Sequence, residues 1–123
     1  MVFEFSLGGY FNSHNYIVRL EGDALCVSDS PYPMPVELEK RIDVTANEDW
    51  AALLTFLKQC HWQKTYDSHA LDGTQWELRV KGKGCNLKVY GSNAYPENFD
   101  DFLQLLNKLI SPAGITVQYN SIS

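Results

Sequence analysis

The sequence predicts an α+β domain: a mainly antiparallel sheet of five or six strands with two helices packed on one face. Three observations carry this. Several short runs alternate apolar and polar residues with period two, the pattern of strands wet on one side. Two later runs repeat apolar residues at three and four positions, the pattern of amphipathic helices. The order of these runs, β-β-β-(β)-α-β-β-α, lacks the βαβ alternation that builds a parallel sheet.

Phe3, Phe5 and Leu7 alternate with Glu4 and Ser6 to give the first strand, ended by Gly8-Gly9. Tyr16, Val18 and Leu20 alternate with Ile17, Arg19 and Glu21 in the second. Glu21-Gly22-Asp23 is a turn sequence, and residues 24–28 return as a third strand, so the pair forms a hairpin. Pro31, Pro33 and Pro35 exclude a helix and hold their neighbours extended. Tyr32 and Met34 lie within that stiff segment, which loses little entropy on binding and so suits an interaction loop. Leu38, Ile42 and Val44 suggest a fourth strand, against which Lys40 falls on the apolar side.

Thr45-Ala-Asn-Glu48 matches a capping box. Trp50, Leu53, Leu54 and Leu57 follow at helical spacing, which predicts a helix over residues 47–61. After the turn at Leu71-Asp72-Gly73, Trp76, Leu78 and Val80 alternate with Glu77, Arg79 and Lys81. Gly82-Lys83-Gly84 reverses the chain, and Leu87 and Val89 alternate with Asn86, Lys88 and Tyr90. The second helix is predicted over residues 96–110. Pro96 is placed in its first turn, Glu97, Asp100 and Asp101 near its positive start and Lys108 near its negative end. Ser111-Pro112 and Gly114 stop it. Ile115, Val117 and Tyr119 form a last short strand or an ordered tail.

The whole chain, 1–123, reads as a single domain. At 45% hydrophobic and 20% charged residues it is too apolar for a disordered chain and large enough to bury a core without disulfides or metal. Cys26, Cys60 and Cys85 are too few and too scattered for a disulfide scaffold. The first residues do not read as a signal peptide, and no run approaches the roughly 18 apolar residues of a membrane span. A reducing cytoplasm is the expected location. A formal net charge of −5 disfavours nucleic acid and anionic membrane as partners.

No catalytic constellation stands out. Cys60-His61 are neighbours on a helix, where side chains diverge by about 100°. Cys60, His61, Asp67 and His69 do not have metal-ligand spacing, and no phosphate loop precedes a helix. The expectation is therefore no cofactor and no metal. The hairpin is more informative. Between Trp76 and Tyr90 stand four basic residues, Arg79, Lys81, Lys83 and Lys88, against Glu77 alone; the rest of the chain carries six basic and fourteen acidic residues. Alternation puts Arg79, Lys81 and Lys88 on the outer face beside Tyr90, where they either solvate the sheet and discourage edge pairing or contact an acidic partner.

The stretches Asp72-Gly-Thr-Gln-Trp76-Glu-Leu78 and Gly91-Ser-Asn93-Ala-Tyr95-Pro96-Glu-Asn-Phe99 resemble an element of small uncharacterised bacterial proteins, in which a W-x-L strand and its partner lead through G-x-N-x-Y-P-x-x-[FW] to a final helix. The resemblance implies a β-β-α scaffold and no activity. Its residues have structural uses: Gly91 for a backbone conformation closed to other residues, Asn93 for turn amides, Tyr95 for the core and Pro96 for the helix start. Some proteins of this build are similar to immunity proteins encoded beside bacterial toxins.

The functional expectation is a non-enzymatic interaction domain binding a protein partner, or a second copy of itself, through the uncovered sheet face or the proline segment. A concrete form is an immunity- or antitoxin-like inhibitor. The alternative is a small-ligand binder or enzyme with a pocket at the sheet-helix ends, lined by His14, His61, His69, Tyr66 and Tyr95.

Overall fold

The computed structural model describes residues 1–9, 14–30, 39–68 and 73–119. Its elements run β1 (Val2–Gly8), β2 (Asn15–Glu21), β3 (Ala24–Ser30), β4 (Lys40–Asp43), α1 (Glu48–Gln59), β5 (Thr65–Asp67), β6 (Gln75–Gly82), β7 (Cys85–Ser92) and α2 (Phe99–Ile110), closed by a 3-10 turn at Ser111–Ala113. The strands form one sheet in the order β4-β3-β2-β1-β6-β7-β5. The α+β class agrees with the sequence. The sheet is mainly antiparallel as expected, but two points need correction: among the described residues there are seven strands, not five or six, and β5 joins β7 in parallel, so the sheet is mixed. Three residues, Thr65-Tyr66-Asp67, are too short to show a period in sequence.

The two hairpins follow from their turns. Gly22, at φ 63°, starts the two-residue connection of β2 to β3, closed by Glu21 opposite Ala24. Lys83 and Gly84, both at positive φ (51° and 78°), make the type I′ turn from β6 to β7, whose twist matches that of the strands. At β4, Ile42 is buried opposite Leu25 while Lys40 is exposed, so the lysine at the strand's start does not prevent pairing.

Both helices lie on one side of the sheet and run antiparallel. Lys108 near the end of α2 reaches Asp49 at the start of α1 (3.5 Å), and Asn98 before α2 meets Cys60 after α1. Phe3 of β1 meets Trp50 of α1 edge-on (5.3 Å) and Phe5 meets Phe102 of α2 (5.1 Å), so the side chains of β1 serve both helices. Leu53, Leu57, Phe99, Leu106 and Ile110 complete a dry layer between helices and sheet.

The helix starts differ from expectation. Asn47, not Thr45, caps α1: its Oδ1 accepts from the Trp50 amide (3.0 Å), while the Thr45 amide donates to Asp43 Oδ1. At α2 the residues after Pro96 form a turn in which the Phe99 amide donates to the Pro96 carbonyl (3.1 Å), so the helix begins at Phe99. Asn98 occupies the cap position without capping; its amide side chain instead accepts from Trp62 Nε1 (2.6 Å) and donates to Cys60 Sγ. Residues 115–119 form no strand. They are an ordered tail, held where Asn107 accepts from the Val117 amide (2.8 Å) and donates to its carbonyl (3.0 Å). Val117 is thereby buried, and Tyr119 packs on Tyr95 and Phe99 while its hydroxyl donates to Asp100 (2.5 Å).

Burial first, then the bond to Asp100, push the Tyr119 phenol up to about 12 from an ordinary 10.0. The folded state therefore binds this proton more tightly than the unfolded chain. The resulting stability is complete below pH 10 and is lost as pH rises through about 12. Ultraviolet titration of the phenolates should show a late phase near that pH, and Tyr119→Phe should remove it.

Candidate functional site

The register aligns side chains into straight rows across the sheet. On the helix side one row reads Tyr16, Leu7, Trp76, Gly91, Tyr66. The Trp76 indole lies across Gly91, where an added Cβ would fall 1.9 Å from Nε1. The φ of Gly91 is not positive, so the glycine is required by this close approach and not by a special backbone conformation. Trp76 Nε1 donates to the Ala94 carbonyl (3.0 Å), and the ring is flanked by Tyr66 (6.2 Å), Tyr95 (6.3 Å), Trp62 (5.7 Å) and Phe99 (4.7 Å). Asn93, at φ 52°, ties the two strands beyond them: its Oδ1 accepts from the Thr74 amide (2.8 Å) and its own amide donates to the Thr74 carbonyl (2.9 Å). The G-x-N-x-Y-P stretch is thus a packing device around one indole.

That use settles where the residues of the expected pocket sit. Tyr66 and Tyr95 are committed to the aromatic cluster, and the Tyr66 hydroxyl accepts from the Gln63 amide. Burial raises the pKa of Tyr95, with Thr74 close by offsetting it in part. His14 stands elsewhere, bound to Asp29 (2.8 Å) and stacked on Tyr16, and His61 is exposed. His69, Tyr32 and Met34 lie outside the described residues. The described members do not converge as a catalytic set.

On the other side of the sheet the central row reads Arg41, Cys26, Arg19, Glu4, Arg79, Lys88. Its two halves behave differently. Over β3 the row is closed on itself. Arg19 donates to Glu21 (2.8 Å) and to both oxygens of Glu39 (3.0 Å each), and Arg41 stands 3.9 Å from Glu21. Cys26 is 1% exposed under this group and donates to Glu21; burial, above all, raises its pKa. Glu21, Cys26 and Glu39 bring three ligand atoms within 4.8 Å of one another, the geometry of a partial cation site, but Arg19 already balances both carboxylates. With Ser28 also buried, β3 is covered on both faces, which narrows the uncovered part of the sheet to β1, β6 and β7.

Over β6 and β7 the row is open. Arg79, Lys81 and Lys88 are exposed and form no ion pair among the described residues, and Tyr90 is 41% exposed. A shallow depression of about 380 Å³ lies here, lined by Glu4, Ser6, Ile17, Glu77, Arg79 and Lys88. A second, of about 590 Å³, follows the outer side of β7 past Trp62, Lys64, Leu87, Lys88 and Tyr90. Trp62 and Lys64, which precede β5, went unnoticed in sequence because nothing there shows that the chain returns to β7.

No helix among the described residues is long and apolar enough to cross a membrane. No family model, no curated protein and no solved structure matches the chain.

Two experiments check this geometry. Gly91→Ala would drive the indole off the strand and strand its N–H, destabilising the fold by about 3 kcal/mol in denaturant titration. A thiol reagent applied to the native protein should label the half-buried Cys60 first, leaving Cys26 and Cys85 unmodified until the chain unfolds.

Proposed function

We propose that the chain is a non-enzymatic protein-interaction domain whose uncovered strands β1, β6 and β7 take an acidic protein surface. The observation that carries this reading is the split charge of the central row. Its β2-β4 half satisfies its own arginines, whereas its β6-β7 half presents Arg79 and Lys88, with Lys81 one row away, free of ion pairs among the described residues and beside the exposed ring of Tyr90. Unpaired cations flanking an aromatic side chain are the composition of a contact patch. Protein fits better than nucleic acid, since the chain as a whole is negative and repels phosphate beyond the patch. An immunity- or antitoxin-type inhibitor of bacterial origin is one concrete form, supported by size, charge and the resemblance around Trp76 and Gly91.

Charge reversal tests it. Arg79→Glu with Lys88→Glu should leave the fold intact and cost only about 1 kcal/mol of stability, because both side chains are exposed, although the reversal sets like charges beside Glu4 in the cross-strand row. It should lower association with a partner recovered by cross-linking from host extract by about a hundredfold, more at low salt than at high. Equal binding by wild type and double variant would overturn the reading, and a dimer in solution abolished by the same double variant would replace the acidic partner by a second copy.

A further inference from the structure

Strand β7 is paired along its whole length on one side and along less than half of it on the other. β6 covers Cys85–Ser92, but β5 reaches only Tyr90, Gly91 and Ser92. The Tyr90 amide donates outward, to the Lys64 carbonyl (2.9 Å), which fixes the phase of the strand. In an antiparallel pair the direction of the backbone groups alternates residue by residue. Cys85, Leu87 and Val89 therefore bond to β6, while Asn86 and Lys88 turn their N–H and C=O groups away from it. Among the described residues nothing pairs with those four groups, and both residues are exposed.

The groove of about 590 Å³ runs along this free length. Half-buried Trp62 and Leu87 line it below the sheet, Lys88 and Tyr90 above, with Lys64 at its end. At the other end Lys58 Cε would lie 3.9 Å from a Cβ added at Gly84, so its side chain stands near the turn, which Lys83 also occupies. Among the described residues Glu77 is the one acid in the lining.

We infer that the free half of β7 binds an extended acidic peptide segment of the partner by strand addition, in the lane that β5 leaves empty. This rests on the reading of the β6-β7 surface as a site for an acidic protein and names the way such a protein is held. Main-chain bonds to Asn86 and Lys88 supply the attachment, and alternate side chains fall on Trp62 and Leu87 or against the lysines. The same charges disfavour a second copy of this chain, since pairing β7 with β7 would bring Lys58, Lys64, Lys83 and Lys88 against their equivalents.

The probe is an acetylated, amidated heptapeptide, Glu-Val-Glu-Phe-Glu-Val-Glu, with two copies N-methylated on alternate amides in the two possible phases. Titrated into the full ¹⁵N-labelled chain, the parent peptide should shift the Asn86–Val89 resonances and slow amide exchange at Asn86 and Lys88. One methylated copy should bind like the parent and the other at least about tenfold more weakly, because only one set of amides faces the strand. Asn86→Pro removes an outward N–H without breaking the ladder to β6, so it should fold and lose binding by a similar factor, whereas Leu87→Pro should not fold. The inference is overturned by absence of shifts at millimolar peptide, by equal binding of both methylated copies, or by full binding to a folded Asn86→Pro variant. If that variant does not fold, the methylated pair decides. Equal binding of both copies, with Arg79→Glu and Lys88→Glu still abolishing it, would end strand addition while leaving the charged surface as the site.

Discussion

The indole of Trp76 across Gly91 is the contact on which the right-hand half of this molecule depends. A glycine there leaves room over β7 that no Cβ would allow, and the Trp76 ring fills it. Placed there, the ring meets several elements at once. Nε1 bonds the chain leaving β7 at Ala94, Phe99 at the start of α2 packs on it, and Tyr66 stacks beside it to bring β5 into the sheet. Tyr95, on the same ring, then receives Tyr119 of the tail. One vacancy of a single methyl group thus positions a helix, an edge strand and the C-terminal cover.

The same packing explains why the described residues that most resemble a catalytic set do not come together. Tyrosines and histidines make sites when the fold leaves them around a cavity with polar atoms converging. Here Tyr66 and Tyr95 are filled against Trp76, and His14 faces Asp29 and Tyr16. What the described residues leave unsatisfied is different in kind: exposed cations without counter-ions on β6 and β7, and a length of β7 backbone without a neighbouring strand.

Much of this was legible in the residues. Long strands with strict alternation, such as β1 and β6, and helices with a full apolar stripe, such as α2, report their period directly, and the outward placement of Arg79, Lys81, Lys88 and Tyr90 followed from it. What was not legible depended on contacts distant in sequence. The three residues of β5 are strand only because Gly91 and its neighbours receive them, and α2 starts three residues after Pro96 because the intervening turn serves the aromatic cluster. The capping-box pattern at Thr45 failed because Asp43, two residues earlier, offered the threonine amide a better acceptor and Asn47 a better cap. The split in the charged row was hidden too, for Glu39 is twenty positions from the arginine it neutralises.

The position of β1 has a bearing on how the chain is made. Among the described strands β1 comes first in the chain, yet it lies in the middle of the finished sheet. Its one side is satisfied early, by β2, but Val2 waits for Lys81 on the other. The tail that carries Val117 and Tyr119 follows later still in the chain. Until residues 75–82 have been made, the apolar strand of Phe3, Phe5 and Leu7 has no partner on its β6 side. The sheet therefore cannot close across its centre until the later hairpin is made, and the apolar side chains of the β1-β2 hairpin lack part of their cover until then.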